Sequence, residues 1–193
     1  MNIGITLTSS MNVGREYIDL TNLIAKNLAE NNFGIVYGGT DYGMMSELAQ
    51  TYKNNGGNKI IGVMASDLIS VTKNYKAFDL LDEQFIEKTM EDRKKKITTL
   101  SDGFIILPGG YGTFEEMGSI IGGNVNKLYS KPIVIYNYNH FYDTLITFFK
   151  EMYAKKFSKI SLNEAVLISA DMEEVLNYLK SHEATKLPDK FVN

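Results

Sequence analysis

Apolar and polar positions along this chain follow two alternating periods. Short apolar runs at Ile3 to Leu7, Phe33 to Tyr37, Lys59 to Met64, Gly103 to Leu107, Ile133 to Tyr136 and Ala165 to Ser169 read as buried strands. Between them lie segments with helical spacing: 15–30, carrying Ile18, Leu20, Leu23, Ile24 and Leu28, then 42–53, 89–101, 113–125, Phe141 to Tyr153 and 171–181. Asn54 to Asn58 is a turn cluster. Residues 65–88 show no clean period and read as a short helix, an irregular stretch and an edge strand. Such alternation predicts a single doubly wound (Rossmann-like) α/β domain over residues 1–182, a parallel sheet with helices on both faces, followed by a polar tail at 183–193.

Composition narrows the chemistry. A chain of 193 residues, 44% hydrophobic and 22% charged, has enough length to build one substantial core. The formal net charge of -3 argues against a nucleic-acid binder, which would present a basic face. No cysteine is present, so disulfides, thiolate nucleophiles and Cys-ligated zinc are excluded. His140 and His182 stand far apart and belong to no metal-ligand spacing. The chain opens on an apolar strand without a basic leader, and no stretch approaches the ~18 apolar residues that span a bilayer. A cytoplasmic protein without a membrane partner is expected.

Three strand-to-helix junctions carry small residues: Thr8-Ser9-Ser10, Gly38-Gly39-Thr40, and Pro108-Gly109-Gly110-Tyr111-Gly112-Thr113. In an open parallel sheet these junctions lie at the carboxyl edge, where ligands bind. Backbone can approach a ligand closely there, and the following helix offers N–H groups to an anion. One such junction could be only a tight turn; three together favour a phosphate-bearing ligand. Known nucleotide motifs fail in detail. Gly38 to Gly43 has P-loop spacing, but Met44-Met45 stand where Lys-Ser/Thr must follow. Gly110-Tyr111-Gly112 begins a dinucleotide fingerprint, yet Glu115 occupies the third glycine position and would repel a pyrophosphate. NAD and FAD are disfavoured, and no Ser/His/Asp arrangement is indicated.

Two charged residues stand out by position. In the 89–101 segment Arg93 shares a face with Met90, Ile97 and Leu100, so it either meets an anionic partner inside or snorkels from a core edge. Lys94-Lys95-Lys96 read as a solvated face, with Lys94 within reach of a phosphate. Thr113 and Glu116 fit a capping box, with Thr113 as N-cap and Glu116 at N3. The functional alternative puts Glu116 at the mouth of a glycine-lined pocket, where it could orient a ribose hydroxyl or activate water. His140 reads as a turn or cap residue. Tyr136, Tyr138, Phe141, Tyr142, Phe148 and Phe149 read as core and subunit contacts rather than a base-stacking platform.

Pro108 to Glu116, PGGYGTFEE, resembles the PGGxGTxxE signature of the LOG (Lonely Guy) family at every fixed position. Met90 to Lys94 is similar to that family's MHxRK segment, and the interval from Arg93 to Glu116 matches. The likeness extends to the Ser9-Ser10 loop, VYGGT with Gly43-Met44, IIGVM, KPIVIYN, and Tyr142-Asp143. It departs at Glu91 (commonly His), Thr40 (commonly Gly), Ala65 (often Pro) and 119–128, which lacks a TWxQL-like segment.

The resemblance implies hydrolysis of the N-glycosidic bond of an AMP-like nucleoside 5'-monophosphate, N6-modified in the cytokinin case, without metal or organic cofactor. Arg93 and Glu116 would form the catalytic pair, with Arg93 aiming the carboxylate at positive charge developing on the sugar. The substrate- and phosphate-binding set would be Ser9, Ser10, Gly38, Gly39, Thr40, Lys94, Pro108, Gly109, Gly110, Tyr111, Gly112, Thr113 and Glu115. A homodimer with active sites near the subunit interface is also implied. The alternative is a non-catalytic nucleotide or phospholigand carrier on the same fold. The label lysine decarboxylase, often given to such proteins, finds no pyridoxal-phosphate lysine site in this sequence.

Overall fold

The computed structural model describes residues 1–73 and 75–183; residues 184–193, nearly all of the expected tail, lie outside the described residues. The chain alternates as expected: β1 (Asn2–Thr6), α1 (Arg15–Glu30), β2 (Gly34–Tyr37), α2 (Gly43–Asn54), β3 (Ile60–Ala65), α3 (Ser66–Val71), β4 (Glu83–Glu87), α4 (Met90–Leu100), β5 (Gly103–Ile106), α5 (Tyr111–Val125), β6 (Ile133–Tyr136), α6 (Asp143–Ala154), α7 (Leu162–Ala165), β7 (Leu167–Ser169) and α8 (Met172–Ser181). All neighbouring strands run parallel, in the order β4-β3-β2-β1-β5-β6-β7. The chain builds outward from β1 to β4 and then returns to pair β5 with the other edge of β1. That reversal makes β1/β5 the topological switch point, and the crevice beyond their carboxyl ends is the default ligand site.

Period-two side chains explain why both faces need helices. Ile3, Ile5, Ile35, Tyr37, Ile105 and Val134 face one core with Leu20, Ile24 and Leu28 of α1, Leu48 and Tyr52 of α2, and Val175 of α8. Val36, Ile61, Val63, Phe104, Ile106 and Ile133 face the other with Ile97 of α4, Met117 and Ile120 of α5, and Ile146 of α6. Among the described residues no helix is long and apolar enough to cross a membrane.

One local feature follows the sequence reading and two differ from it. The unclear stretch resolves into α3, a strap at 76–78, and the edge strand β4, whose Glu83 and Glu87 discourage pairing with another sheet. A short helix, α7, precedes β7; Ser161 and Glu164 form its capping box. The box expected at Thr113 and Glu116 is absent. Gly110 caps α5 and the ladder starts with Phe114 N–H on Gly110 O, so Thr113 lies within the first turn. Glu116 is then too far along to reach back to the cap, and its carboxylate is bound elsewhere.

Candidate active site

Arg93 turns inward from α4, where Thr89 caps the helix by accepting from Asp92 N–H at 3.1 Å. Only 3% of the residue is exposed. A guanidinium so placed needs its charge and donors matched. Its Nε donates to Val63 O of β3 at 2.9 Å and its Nη1 to Glu116 Oε1 at 2.8 Å. Its Nη2 lies over Gly38, at the end of β2, where a Cβ would come within 2.7 Å. The inward reading of Arg93 therefore holds, and Gly38 supplies the space for it. Glu116 accepts a second hydrogen bond, on Oε2, from the hydroxyl of Thr6 at the end of β1. Both carboxylate oxygens are thus fixed by groups from different elements, while the side chain keeps 18% exposure toward solvent.

Thr6 is a candidate site residue that the sequence reading passes over. It was counted within an apolar run, although it is the one hydroxyl in that strand and immediately precedes the small-residue loop. Beyond it, Thr8 Oγ1 accepts from Ser10 N–H and Ser10 Oγ from Asn12 N–H, both at 3.1 Å, which folds Ser9 outward. The Ser9 carbonyl packs on Gly43, the first residue of α2, whose φ is +58° and where a Cβ would fall 1.6 Å from that oxygen. Gly43→Ala should therefore both strain the left-handed backbone and push the Ser9 loop away. A loss of about 1–3 kcal/mol is expected for the backbone conformation alone. Thermal unfolding checks it; a variant melting with the parent would remove the constraint.

The PGG turn follows β5. Tyr142 donates to Leu107 O at 2.7 Å and so anchors the strand end from below. Thr113 is buried and tucks beneath Gly109, while Gly110, Tyr111 and Gly112 are exposed. No side chain caps α5. The leading N–H groups of this helix are therefore offered beside the switch point, with the positive end of its dipole. A cleft of about 210 Å³ adjoins the turn, lined by Thr8, Val13, Tyr17, Met44, Pro108 to Gly110 and Phe141. Phe141, read from sequence as a core or subunit contact, is 45% exposed and stands edge-on to Tyr17 at this mouth.

Other expected binding residues are placed differently. Thr40 is buried and its hydroxyl donates to Lys76 O at 3.2 Å, within the strap. Lys94 lies against Glu115 at 2.6 Å and Glu91 at 2.9 Å, and these carboxylates, Glu115 foremost, raise its pKa. Gly38, Gly39 and Thr40 follow β2 directly and are buried. Tyr37, wholly buried there, has a hydroxyl without a partner among the described residues; burial, helped by Asp41 and Tyr75 nearby, raises its pKa. His140 sits in a turn with φ +61° and contacts Asp143 at 3.1 Å, a local role as expected. Among the described residues no group of His, Cys, Asp and Glu could hold a metal ion.

The architecture is that of a doubly wound α/β protein with a paired guanidinium and carboxylate at its switch point, beside an open helix N-terminus. The chain belongs to the LOG family, matched over residues 45–179 by the family model described as "Possible lysine decarboxylase". It is 29% identical over 166 residues to the cytokinin riboside 5'-monophosphate phosphoribohydrolase LOG2 of Arabidopsis thaliana, spanning 86% of this chain and 76% of that one. The cytokinin riboside 5'-monophosphate phosphoribohydrolase of Rhodococcoides fascians is 28% identical over 168 residues, spanning 87% and 83%. Hydrolysis is thus the activity for which these relatives are named. The molybdenum cofactor carrier protein MCP of Chlamydomonas reinhardtii shares the fold, with a TM-score of 0.68, 19% identity, and coverage of 93% of this chain and 95% of that one.

The decarboxylase description does not suit this site. A Schiff-base lysine needs its amine free and its pKa depressed. Lys94, which lies beside Glu116 at this site, is clasped by two carboxylates that raise its pKa instead.

Proposed function

We propose that this protein acts in the cytoplasm as a nucleoside 5'-monophosphate phosphoribohydrolase, releasing free base and ribose 5-phosphate from AMP-like nucleotides, including N6-modified ones. The observation that carries the reading is the convergence of Arg93 and Thr6 on Glu116 beside the uncapped N-terminus of α5. The 5'-phosphate would take the free N–H groups of the PGG turn and first helical turn. Glu116 lies further along the same helix, about 7–8 Å from its start at 1.5 Å per residue. A ribose 5-phosphate bridges that span and brings C1 to the carboxylate.

As the C1–N bond breaks, its electron pair leaves with the base and positive charge spreads over C1 and the ring oxygen. Glu116 stabilises that charge and aims water at C1; Arg93 and Thr6 fix the carboxylate before the reaction starts. Purified protein with AMP or N6-isopentenyl-AMP is expected to yield free base and ribose 5-phosphate on chromatography. Tight binding of a nucleotide without turnover would replace this reading with that of a carrier.

We also propose a homodimer. Supporting it, α5 carries Gly118, Ile121, Gly122 and Val125 along a groove shared with Phe149 and Met152, near Phe157 at 82% exposure. Light scattering should report twice the 21.7 kDa chain mass; a monomer at all concentrations would exclude it.

A further inference from the structure

Two ion pairs cross from α4 to α5 side by side. Arg93 meets Glu116, and the next residue, Lys94, meets Glu115 at 2.6 Å. Lys94 also reaches back one helical turn to Glu91 at 2.9 Å. Its side chain is only 13% exposed, so the ammonium is held in one place between two carboxylates that themselves stand in solvent. Holding a long side chain still gives up rotamer entropy, and ion pairs near the surface return little stability. Stability is thus a poor reason for the arrangement.

Its place in the fold supplies a better one. α4 lies along β3 and β4 while α5 lies over β1, and the backbones of the two helices scarcely approach each other. Between them is a cavity of about 20 Å³, room for one water, lined by Lys94 and Ile97 from α4, Glu116 and Ile120 from α5, and Thr6 from β1. Further along, Ile97, Met117 and Ile120 belong to one apolar cluster with Phe104. At the end nearest the PGG turn the link across the gap is polar, Arg93 to Glu116 and Lys94 to Glu115. The register of the first pair therefore depends on the second. The other role open to a lysine here, that of phosphate ligand, suits Lys94 poorly. One ammonium against two carboxylates leaves the cluster with a net charge of −1, which repels a phosphate dianion.

We infer that Lys94 is a positioning residue for the reaction at Glu116 and acts through Glu115. Clasped by Glu91 on its own helix, it bridges to Glu115 and holds α4 and α5 in the register that brings the Arg93 guanidinium to Glu116. Neither Lys94 nor Glu115 then binds phosphate, which is left to the backbone N–H groups of the PGG turn. The inference rests on the hydrolase reading and deepens it.

The test compares Lys94→Met, Glu115→Gln and the double variant with the parent on AMP. Lys94→Met keeps the apolar stem and removes the ammonium; Glu115→Gln removes the charge of its partner. Each should lower kcat about tenfold, as expected when catalytic groups are slightly misplaced, with KM within about twofold. The double variant should lose no more than either single one, because both break the same link. Lys94→Arg, which can still bridge to Glu115, should keep most of the turnover. All should melt within about 4 °C of the parent, since a largely exposed pair contributes little to stability. A phosphate ligand would behave otherwise: Lys94→Met would raise KM about tenfold at unchanged kcat. That result, an unchanged kcat in either single variant, a double loss equal to the product of the two, or a larger fall in Tm would overturn the positioning role and leave the hydrolase reading intact. A parent protein that releases no base from AMP overturns both together.

Discussion

Replacing Glu116 with Gln is expected to cut base release by about a thousandfold or more while leaving the protein folded. Glutamine has the shape of the carboxylate it replaces. Its carbonyl can accept from Arg93 and its amide can donate to the Thr6 oxygen, so the hydrogen bonds that hold the side chain survive in outline. What disappears is the negative charge facing C1. Each tenfold loss of rate corresponds to about 1.4 kcal/mol, so the loss expected here is about 4 kcal/mol of transition-state stabilisation. A preorganised charge supplies that much only where it opposes charge developing in the reaction. The measurement is kcat on AMP, with circular dichroism to verify the fold. A variant that retains a tenth of parental turnover would show that Glu116 is a structural acceptor, and the hydrolase mechanism would lose its centre.

Much of this arrangement was legible in the sequence because the fold separates its signals cleanly. Continuous apolar runs could only be strands covered on both faces, and the helical stripes between them dictated where the junctions fell. The 15–30 helix matches α1 in full, since Leu20, Ile24 and Leu28 repeat without a competing period. Arg93 was detectable because a charged residue on an apolar stripe demands a partner. Thr6 was not, because a hydroxyl inside a strand reads as neutral until the sheet places it at the switch point. The start of α5 was misjudged for a different reason. Thr113 and Glu116 satisfy a local motif, but tertiary contacts outbid it: Gly109 accommodates Thr113 and the Arg93 guanidinium takes Glu116. The pinning of the 76–78 strap lay beyond sequence reasoning, because it depends on backbone pairing with Gly39–Asp41, and those bonds leave no trace in hydrophobic pattern.

Arg93→Ala should damage both stability and activity, and a second variant separates the two effects. Truncation removes the donors to Val63 O and Glu116 Oε1 and leaves a largely enclosed carboxylate without its cation. Breaking a buried pair from one side typically costs about 3–5 kcal/mol. For a chain of this length each kcal/mol moves Tm by about 2–4 °C, so a drop on the order of 10 °C is expected by differential scanning calorimetry. Base release should fall to background, because Glu116 is then held by Thr6 alone. Replacing both partners with apolar residues, Arg93→Met with Glu116→Leu, removes the two charges together and should recover much of the lost Tm. It should recover no turnover. That split is what a site kept for chemistry must show, since burying this pair does little for stability that hydrocarbon could not do. If the double variant melted as low as Arg93→Ala, the pair would instead be a framework element on which the α4 and α5 packing depends. The loss of activity in Arg93→Ala would then follow from misfolding rather than from the missing guanidinium.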